Sequence, residues 1–292
     1  MIPGLDGAGI GCHPISWEGK IPFPQFLDEI KALAYEGTEG YGDYRDNTAG
    51  YLSELGSRGL RLASVYAGGA YYDPQRAEEA VQNALAAARF VHAMGGAVLC
   101  VATGGDEQRR STPGLYPDGN RSDGLDATGW QTLADSLKRV GEGCLQLGIE
   151  AAFHNHVGTF VETRDEIDRL FALVDAAVLF FAPDTGHLYY GGADPVAACR
   201  DYAARIRYTH LKDTNAEAIA RARRKRMVQR DCMAIGGFCE LGQGCIDLPA
   251  IFQALASARY TGWLMVEQDK TLKTPVESAR ISRDYLRTHL GR

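Results

Sequence analysis

Short runs of apolar and β-branched residues alternate along the chain with longer stretches whose apolar positions recur every three or four residues. The short runs predict strands at Ala8–Cys12, Gly37–Gly40, Leu60–Val65, Ala97–Val101, Glu150–Phe153, Ala177–Ala182, Ile206–His210 and Trp263–Val266. The longer ones predict helices at 23–35, 48–58, 75–94, 126–147, 163–174, 194–204, 247–258 and 275–289. Capping signals mark several helix starts: Asp73-Pro74, Thr163 with Glu166 three later, Asp194-Pro195 and Asp247-Leu-Pro249. Ala177-Val-Leu-Phe-Phe-Ala182 is apolar throughout, as parallel strands covered on both faces are.

Strict alternation of eight strands and eight helices predicts an α/β fold, a single (β/α)8 TIM barrel spanning residues 1–292. The competitor is a doubly wound sheet, but the glycine-rich phosphate loop expected there fits Gly7-Ala-Gly9-Ile-Gly11 badly. Two connections are long: 103–125 after strand 4 and 213–246 after strand 7. Both leave carboxyl ends of strands, where barrel active sites are built, and are expected to wall or cover a pocket.

Composition narrows the function classes. The 292 residues are 45% hydrophobic and 23% charged, the profile of a folded globular chain. Lys+Arg 31 against Asp+Glu 37 leaves a net charge of −6, so no global positive field gathers nucleic acid or anionic lipid. Uncharged apolar runs such as 176–183 fall far short of a membrane span, and Met1-Ile-Pro-Gly-Leu-Asp lacks the features of a secretory leader. A cytoplasmic protein is expected, with its seven scattered cysteines reduced; Cys239 and Cys245 are the pair to watch for reactivity.

The histidines converge on this map. His13 follows strand 1, His154 and His156 end strand 5, His187 follows strand 6 and His210 ends strand 7, leaving only His92 and His289 within helices. Carboxylates join them: Asp184 closes the apolar strand 6, Glu267 closes strand 8, and Glu39 and Glu162 are within reach of the same space. Asp184, His210, Glu267 and one further oxygen or nitrogen ligand would hold a divalent cation; mixed carboxylate and imidazole donors suit Mn²⁺, Co²⁺, Fe²⁺ or Zn²⁺. The plainer readings are a loop cap for Asp184, a rim salt bridge for Glu267 and a supporting role for His13.

The motifs in order carry a resemblance. His154-Asn-His156-Val-Gly-Thr-Phe-Val-Glu162-Thr, Asp184-Thr-Gly-His187, Thr209-His210-Leu-Lys212-Asp213 and Gly262-Trp-Leu-Met-Val-Glu267-Gln-Asp269, with the opening Gly11-Cys-His-Pro14-Ile-Ser-Trp17, resemble the inosose dehydratase family of xylose-isomerase-like sugar isomerase/epimerase barrels. The resemblance implies a divalent metal, Mn²⁺ or Co²⁺ first and Mg²⁺ within range, and dehydration of a keto-cyclitol. The superfamily's Glu, Asp, His and Glu ligands map onto Asp184, His210 and Glu267. The remaining glutamate is assigned to Glu162, with His154 or His156 as the alternative, because strand 5 ends in His154 where many relatives carry Glu. Leu241-Gly-Gln243-Gly-Cys245-Ile-Asp247 departs from the acidic pattern of the dehydratases beside the pocket.

These parts suit a lyase that removes water from a polyhydroxylated ketone through an enediolate, or a sugar or sugar-phosphate isomerase/epimerase sharing the first half of that chemistry. His156, His187 and Glu162 are candidate bases. Lys212 or His187 is the candidate acid, unless Lys212 is a rim lysine paired with Asp213. His13, Glu39 and His154 would contact substrate, and Trp17 would wall the apolar side of a ring, unless it is ordinary barrel packing. Two further readings are a non-catalytic carbohydrate-binding barrel and an abasic-site endonuclease. The basic run Arg221-Ala-Arg-Arg-Lys-Arg226, with Arg230, invites the latter, but it also reads as a solvated helix on an acidic chain. A homo-oligomer is among the expected assemblies.

Overall fold

The computed structural model describes residues 2–40, 47–116, 121 and 123–292, so residues 117–120 and 122 of the long connection after strand 4 lie outside the described residues. Eight barrel strands follow one another: β1 (Gly9–Cys12), β2 (Gly37–Glu39), β3 (Arg61–Ser64, resuming as Tyr66–Gly69), β4 (Val98–Thr103), β5 (Glu150–His154), β6 (Leu179–Ala182), β7 (Tyr208–Leu211) and β8 (Trp263–Val266). All pair in parallel. β1 sits between β2 and β8, β8 pairs with β7, and β2 pairs with the first half of β3. The second half of β3 pairs with β4, and β4, β5 and β6 run side by side. Isolated parallel bridges, Phe181 to Ile206 and Asp184 to His210, join β6 to β7 and complete the ring.

Side-chain alternation explains the two cores. Ile10, Leu99, Phe153, Phe181, Leu211 and Leu264 point outward into the large apolar layer shared with the helices. Their neighbours Cys100, Ala152, Phe180, Tyr208 and Met265 point inward and fill the barrel. Gly9 and Gly11 are inward positions without room: a Cβ on Gly9 would lie 2.5 Å from the Trp263 ring, and one on Gly11 would run into Met265. One step further along each strand, the same alternation delivers His154, Asp184, His210, Lys212 and Glu267 to the inner mouth, all buried.

The helices fall within a few residues of expectation, for example Phe23–Ala32, Ala77–Ala93 and Ala127–Gln146. Short helices at Glu107–Ser111 and Thr185–Tyr190 fall outside the expected elements, and three further features differ. The strand expected at Leu60–Val65 shifts register and runs on to Gly69. The expected helix 194–204 stops at Asp201, with a separate 3-10 turn at Ala203–Arg205. The connection 213–246 is largely structured, with helices Ala216–Lys225 and Gln229–Ala234 and an antiparallel pairing of Asp213–Thr214 with Phe238–Cys239. Five cysteines are buried, Cys239 is half-buried and Cys245 exposed, all as free thiols. Among the described residues, no helix is long and apolar enough to cross a membrane.

Candidate active site

His210 is the centre of the inner mouth. Its Nε2 is hydrogen-bonded to Oε1 of Glu39, which also accepts from the Tyr208 hydroxyl at 2.8 Å. A carboxylate at Nε2 fixes the ring so that Nδ1 turns toward the other acids. Nδ1 lies 2.8 Å from Glu267 Oε2 and 3.9 Å from Asp184 Oδ2. Asp184 serves two ends at once. Oδ1 accepts from the His187 N–H and caps the helix Thr185–Tyr190, leaving Oδ2 toward His210. Asp184 Oδ2, His210 Nδ1, Glu267 Oε2 and His154 Nδ1 are buried without a well-directed hydrogen bond, the first three meeting only in ion-pair contacts with one another and with Lys212. Stranded buried polar atoms are costly unless something occupies the space between them. Ligand atoms of Asp184, His210 and Glu267 fall within 4.8 Å of one another, as do those of His154, Asp184 and His187, and those of His13, Glu39 and His210. Two carboxylates with imidazoles fit a divalent cation.

Burial and neighbouring charge set the protonation states. Burial pushes the Asp184 carboxyl up to about 6, against the pull of Lys212. For His210 burial works the other way, but Glu267 and Glu39 outweigh it and hold the ring well above its usual range. Burial likewise opposes ionisation of Glu39, yet the facing His210 and His13 keep its carboxyl low.

Lys212 is fully buried. Its Nζ lies 2.9 Å from Asp269, 3.2 Å from Asp184 and 3.5 Å from Glu267, and those carboxylates raise its affinity for the proton despite burial. The alternative pairing with Asp213 does not form: Asp213 accepts the backbone N–H groups of Thr214, Gly242, Gly244 and Ile246 instead. His187 approaches Lys212 Nζ to 3.5 Å through Nε2, and its ring centroid lies 3.7 Å from that of His156. The two rings differ in what they offer. His156 Nδ1 sits 2.7 Å from the Val157 carbonyl, which can only accept, so Nδ1 carries the hydrogen and Nε2 presents a lone pair. His187 Nδ1 instead accepts from the Val157 N–H at 3.5 Å, so in the neutral ring Nε2 carries the hydrogen, with the Asp269 carboxylate 4.0 Å away. Burial lowers the pKa of both rings.

A cavity of about 320 Å³ opens over this cluster, lined by His13, Glu39, Tyr66, His154, His156, His210, Glu267 and Asp269 among others. His13 accepts the Ile15 N–H at Nδ1 and turns Nε2 to Glu39 at 3.4 Å. Trp17 is a correction to the expected wall. It is 3% exposed, packs on Phe26 at 5.1 Å and donates its indole N–H to Glu29 at 2.6 Å, away from the cavity. The ring that does line the cavity is Tyr66, edge-on to His154 at 5.9 Å. No functional signal marks it in the sequence beyond its place after a predicted strand.

Glu162 is a second correction. Its Oε1 takes Arg121 at 2.8 Å and the Gly114 N–H at 3.0 Å, and Oε2 takes the Gly158 N–H at 2.6 Å. Both oxygens are thus committed to the loops, and Glu162 belongs to none of the converging ligand groups. Arg223 works beside it, donating to the Gly114, Tyr189 and Tyr190 carbonyls, so the connections after β4, β6 and β7 are tied together. The rest of the basic run, Arg221, Arg224, Lys225 and Arg226, is exposed.

Residues 27–289 match the xylose isomerase-like TIM barrel family. The chain belongs to this family. Within it, the chain is 34% identical over 289 residues to the inosose dehydratase of Geobacillus kaustophilus, covering 95% of this chain and 93% of that protein. It is 30% identical over 292 residues to the inosose dehydratase of Clostridium beijerinckii, with 97% of each covered. Among solved structures, the probable 3-DHS dehydratase AsbF from Bacillus anthracis superposes with a TM-score of 0.73 at 16% identity, covering 96% of this chain and 98% of that one. An L-ribulose 3-epimerase gives 0.73 at 17% identity, covering 97% and 95%. At such identities these two structures speak to the shared xylose isomerase-like barrel alone.

Proposed function

We propose that this protein is a divalent-metal-dependent dehydratase acting on a keto-cyclitol or related keto-sugar. What carries the reading is the meeting of three stranded atoms, Asp184 Oδ2, His210 Nδ1 and Glu267 Oε2, at the mouth of a barrel whose near-full-length relatives are named inosose dehydratase. His154, whose buried Nδ1 also lacks a hydrogen bond and which groups with Asp184, is our choice for the further ligand in place of Glu162. Mixed carboxylate and imidazole donors accept Mn²⁺, our first choice, and equally Co²⁺, Fe²⁺ or Zn²⁺, with Mg²⁺ as a further substitute. When bound, the cation supplies Lewis acidity toward a ketone and the hydroxyl beside it.

The chain's own groups handle the protons. His156, with its Nε2 lone pair on the cavity, takes the hydrogen from the carbon next to the ketone. Lys212 gives a proton to the departing β-hydroxyl, so one water leaves and a carbon–carbon double bond forms. Asp269 aims the Lys212 ammonium. Glu39 holds His210 in the ligating tautomer, and His13 braces Glu39.

An isomerase or epimerase would share the first proton transfer and return the proton elsewhere. Incubating the purified protein with 2-keto-myo-inositol and with common ketoses, with and without Mn²⁺, separates them. Dehydration gives a new ultraviolet absorbance with the cyclitol. A new ketose without absorbance would replace the lyase reading with isomerisation.

A further inference from the structure

Beside the cation cavity lies a second cavity of about 420 Å³, and the two share Tyr66 and His156. Their charge is opposite. Glu18, Glu39, Glu267 and Asp269 line the first, whereas the described lining of the second includes Arg110 and Arg230 and no carboxylate. Thr103 also lines the second cavity; it is 2% exposed and its Oγ1 is buried without a hydrogen-bond partner. Arg110 commits one nitrogen to the Gly105 carbonyl, and Arg230 has Nε 3.6 Å from Asp231. Each guanidinium carries five N–H donors, so both retain donors beyond these contacts.

We infer that the second cavity is an oxyanion subsite, and that the substrate carries a phosphate or carboxylate at the end remote from its ketone. This rests on the proposed function, whose keto-diol end it places at Asp184, His210 and Glu267. Two adjoining cavities exceed what one six-membered ring requires, and the second is lined by two guanidiniums, Arg110 and Arg230, whose forked donors match phosphate and carboxylate oxygens. The keto-diol end goes to the cation and the anionic end to the arginines, so the two cavities together orient the molecule along the cleft.

Calorimetric titration of the Mn²⁺-loaded full chain tests this with myo-inositol, myo-inositol 1-phosphate, glucuronate and inorganic phosphate. The inositol phosphate should bind about tenfold or more tightly than myo-inositol, and R110Q/R230A should bring that ratio close to one. Glucuronate matching the phosphate would assign the subsite to carboxylates; glucuronate no better than myo-inositol would assign it to phosphates. Should the double variant fail to fold, R230A alone, whose side chain is exposed, should still lower the ratio at least about threefold. Equal binding of inositol and its phosphate by the unaltered protein, or a preference that survives R110Q/R230A, overturns the proposal. If no polyol binds, the reading of the cation cavity has failed, and inorganic phosphate decides the subsite by itself. Phosphate bound by the unaltered protein and lost in R110Q/R230A upholds it; phosphate held equally by both, or by neither, overturns it.

Discussion

His210 Nδ1 lies 2.8 Å from Glu267 Oε2, while the opposite nitrogen of the same ring is held by Glu39. This relationship gives each residue a distinct part. Glu39 decides which way the imidazole faces, and Glu267 shares with Asp184 the space that Nδ1 faces. Removing Glu39 therefore differs from removing Glu267. Glu39→Gln should weaken Mn²⁺ binding about 10- to 100-fold without abolishing it, the usual scale for a partner behind a ligating histidine. A metal titration followed by manganese electron paramagnetic resonance would read this; unchanged affinity would remove Glu39 from the assembly.

Metal binding should displace protons. Asp184, with its carboxyl at about 6, and His210, held well above its usual range, must both be deprotonated at the ligating atom. Apparent affinity should then climb from about pH 5 to about pH 8, with about one proton released per ion near pH 7. Calorimetry in buffers of different ionisation heat measures that release. The sign reverses for the chelated protein. A carboxyl raised above its unfolded value of 3.8 stabilises the fold below that value and loses the contribution as pH rises through about 6. His210 acts in the same direction at higher pH. The chelated protein's melting temperature should fall across this range more steeply than that of the loaded protein.

Lys212→Met keeps most of the stem that packs against Gly186, where a Cβ would lie 2.9 Å from Lys212. The variant should fold, and kcat on the cyclitol should fall about 10²- to 10⁴-fold if the ammonium supplies the proton. Lys212→Arg restores the charge but not a transferable proton, so kcat should stay low. Recovery in the arginine variant would make Lys212 an electrostatic support only.

Glu162→Ala should cost about 3–5 kcal/mol of stability, because Arg121 and two backbone N–H groups lose a buried acceptor. Mn²⁺ bound per folded chain should not change. The opposite pattern, a normal melting temperature with weakened metal binding, would return Glu162 to the ligand set.

Trp17→Phe should leave KM unaffected, since the indole faces Phe26 and Glu29. Tyr66→Ala, on the cavity wall, should raise KM with little loss of stability, because Tyr66 is 45% exposed. Steady-state kinetics on both variants tests the exchange of roles between the two rings.

Much of this was legible in the sequence because barrel strands obey a period of two. Apolar strands ending in Asp184, His210 and Glu267 had to deliver those side chains to the mouth once the ring closed, and they do. The same period separates inward Lys212 from its neighbour Asp213, which turns to the loop backbone. What escaped was set by local backbone. The 3-10 turn Pro14–Ser16 leads into Trp17, which faces the first helix instead of the cavity. The register shift in β3 carries the strand on to Tyr66. Glu162 sits where the turn at Gly158 can bond it, and no spacing in the chain announces that. The contact between Glu39 and His210 crosses the barrel interior, so it exists only after closure.

The most direct test is the metal content of the full chain, measured by inductively coupled plasma mass spectrometry after Mn²⁺ loading and desalting. About one ion per chain is expected, falling to background in Asp184→Ala, His210→Ala and Glu267→Ala while circular dichroism stays native. Full occupancy in any of the three, or none in the unaltered protein, would contradict a cation held by these residues.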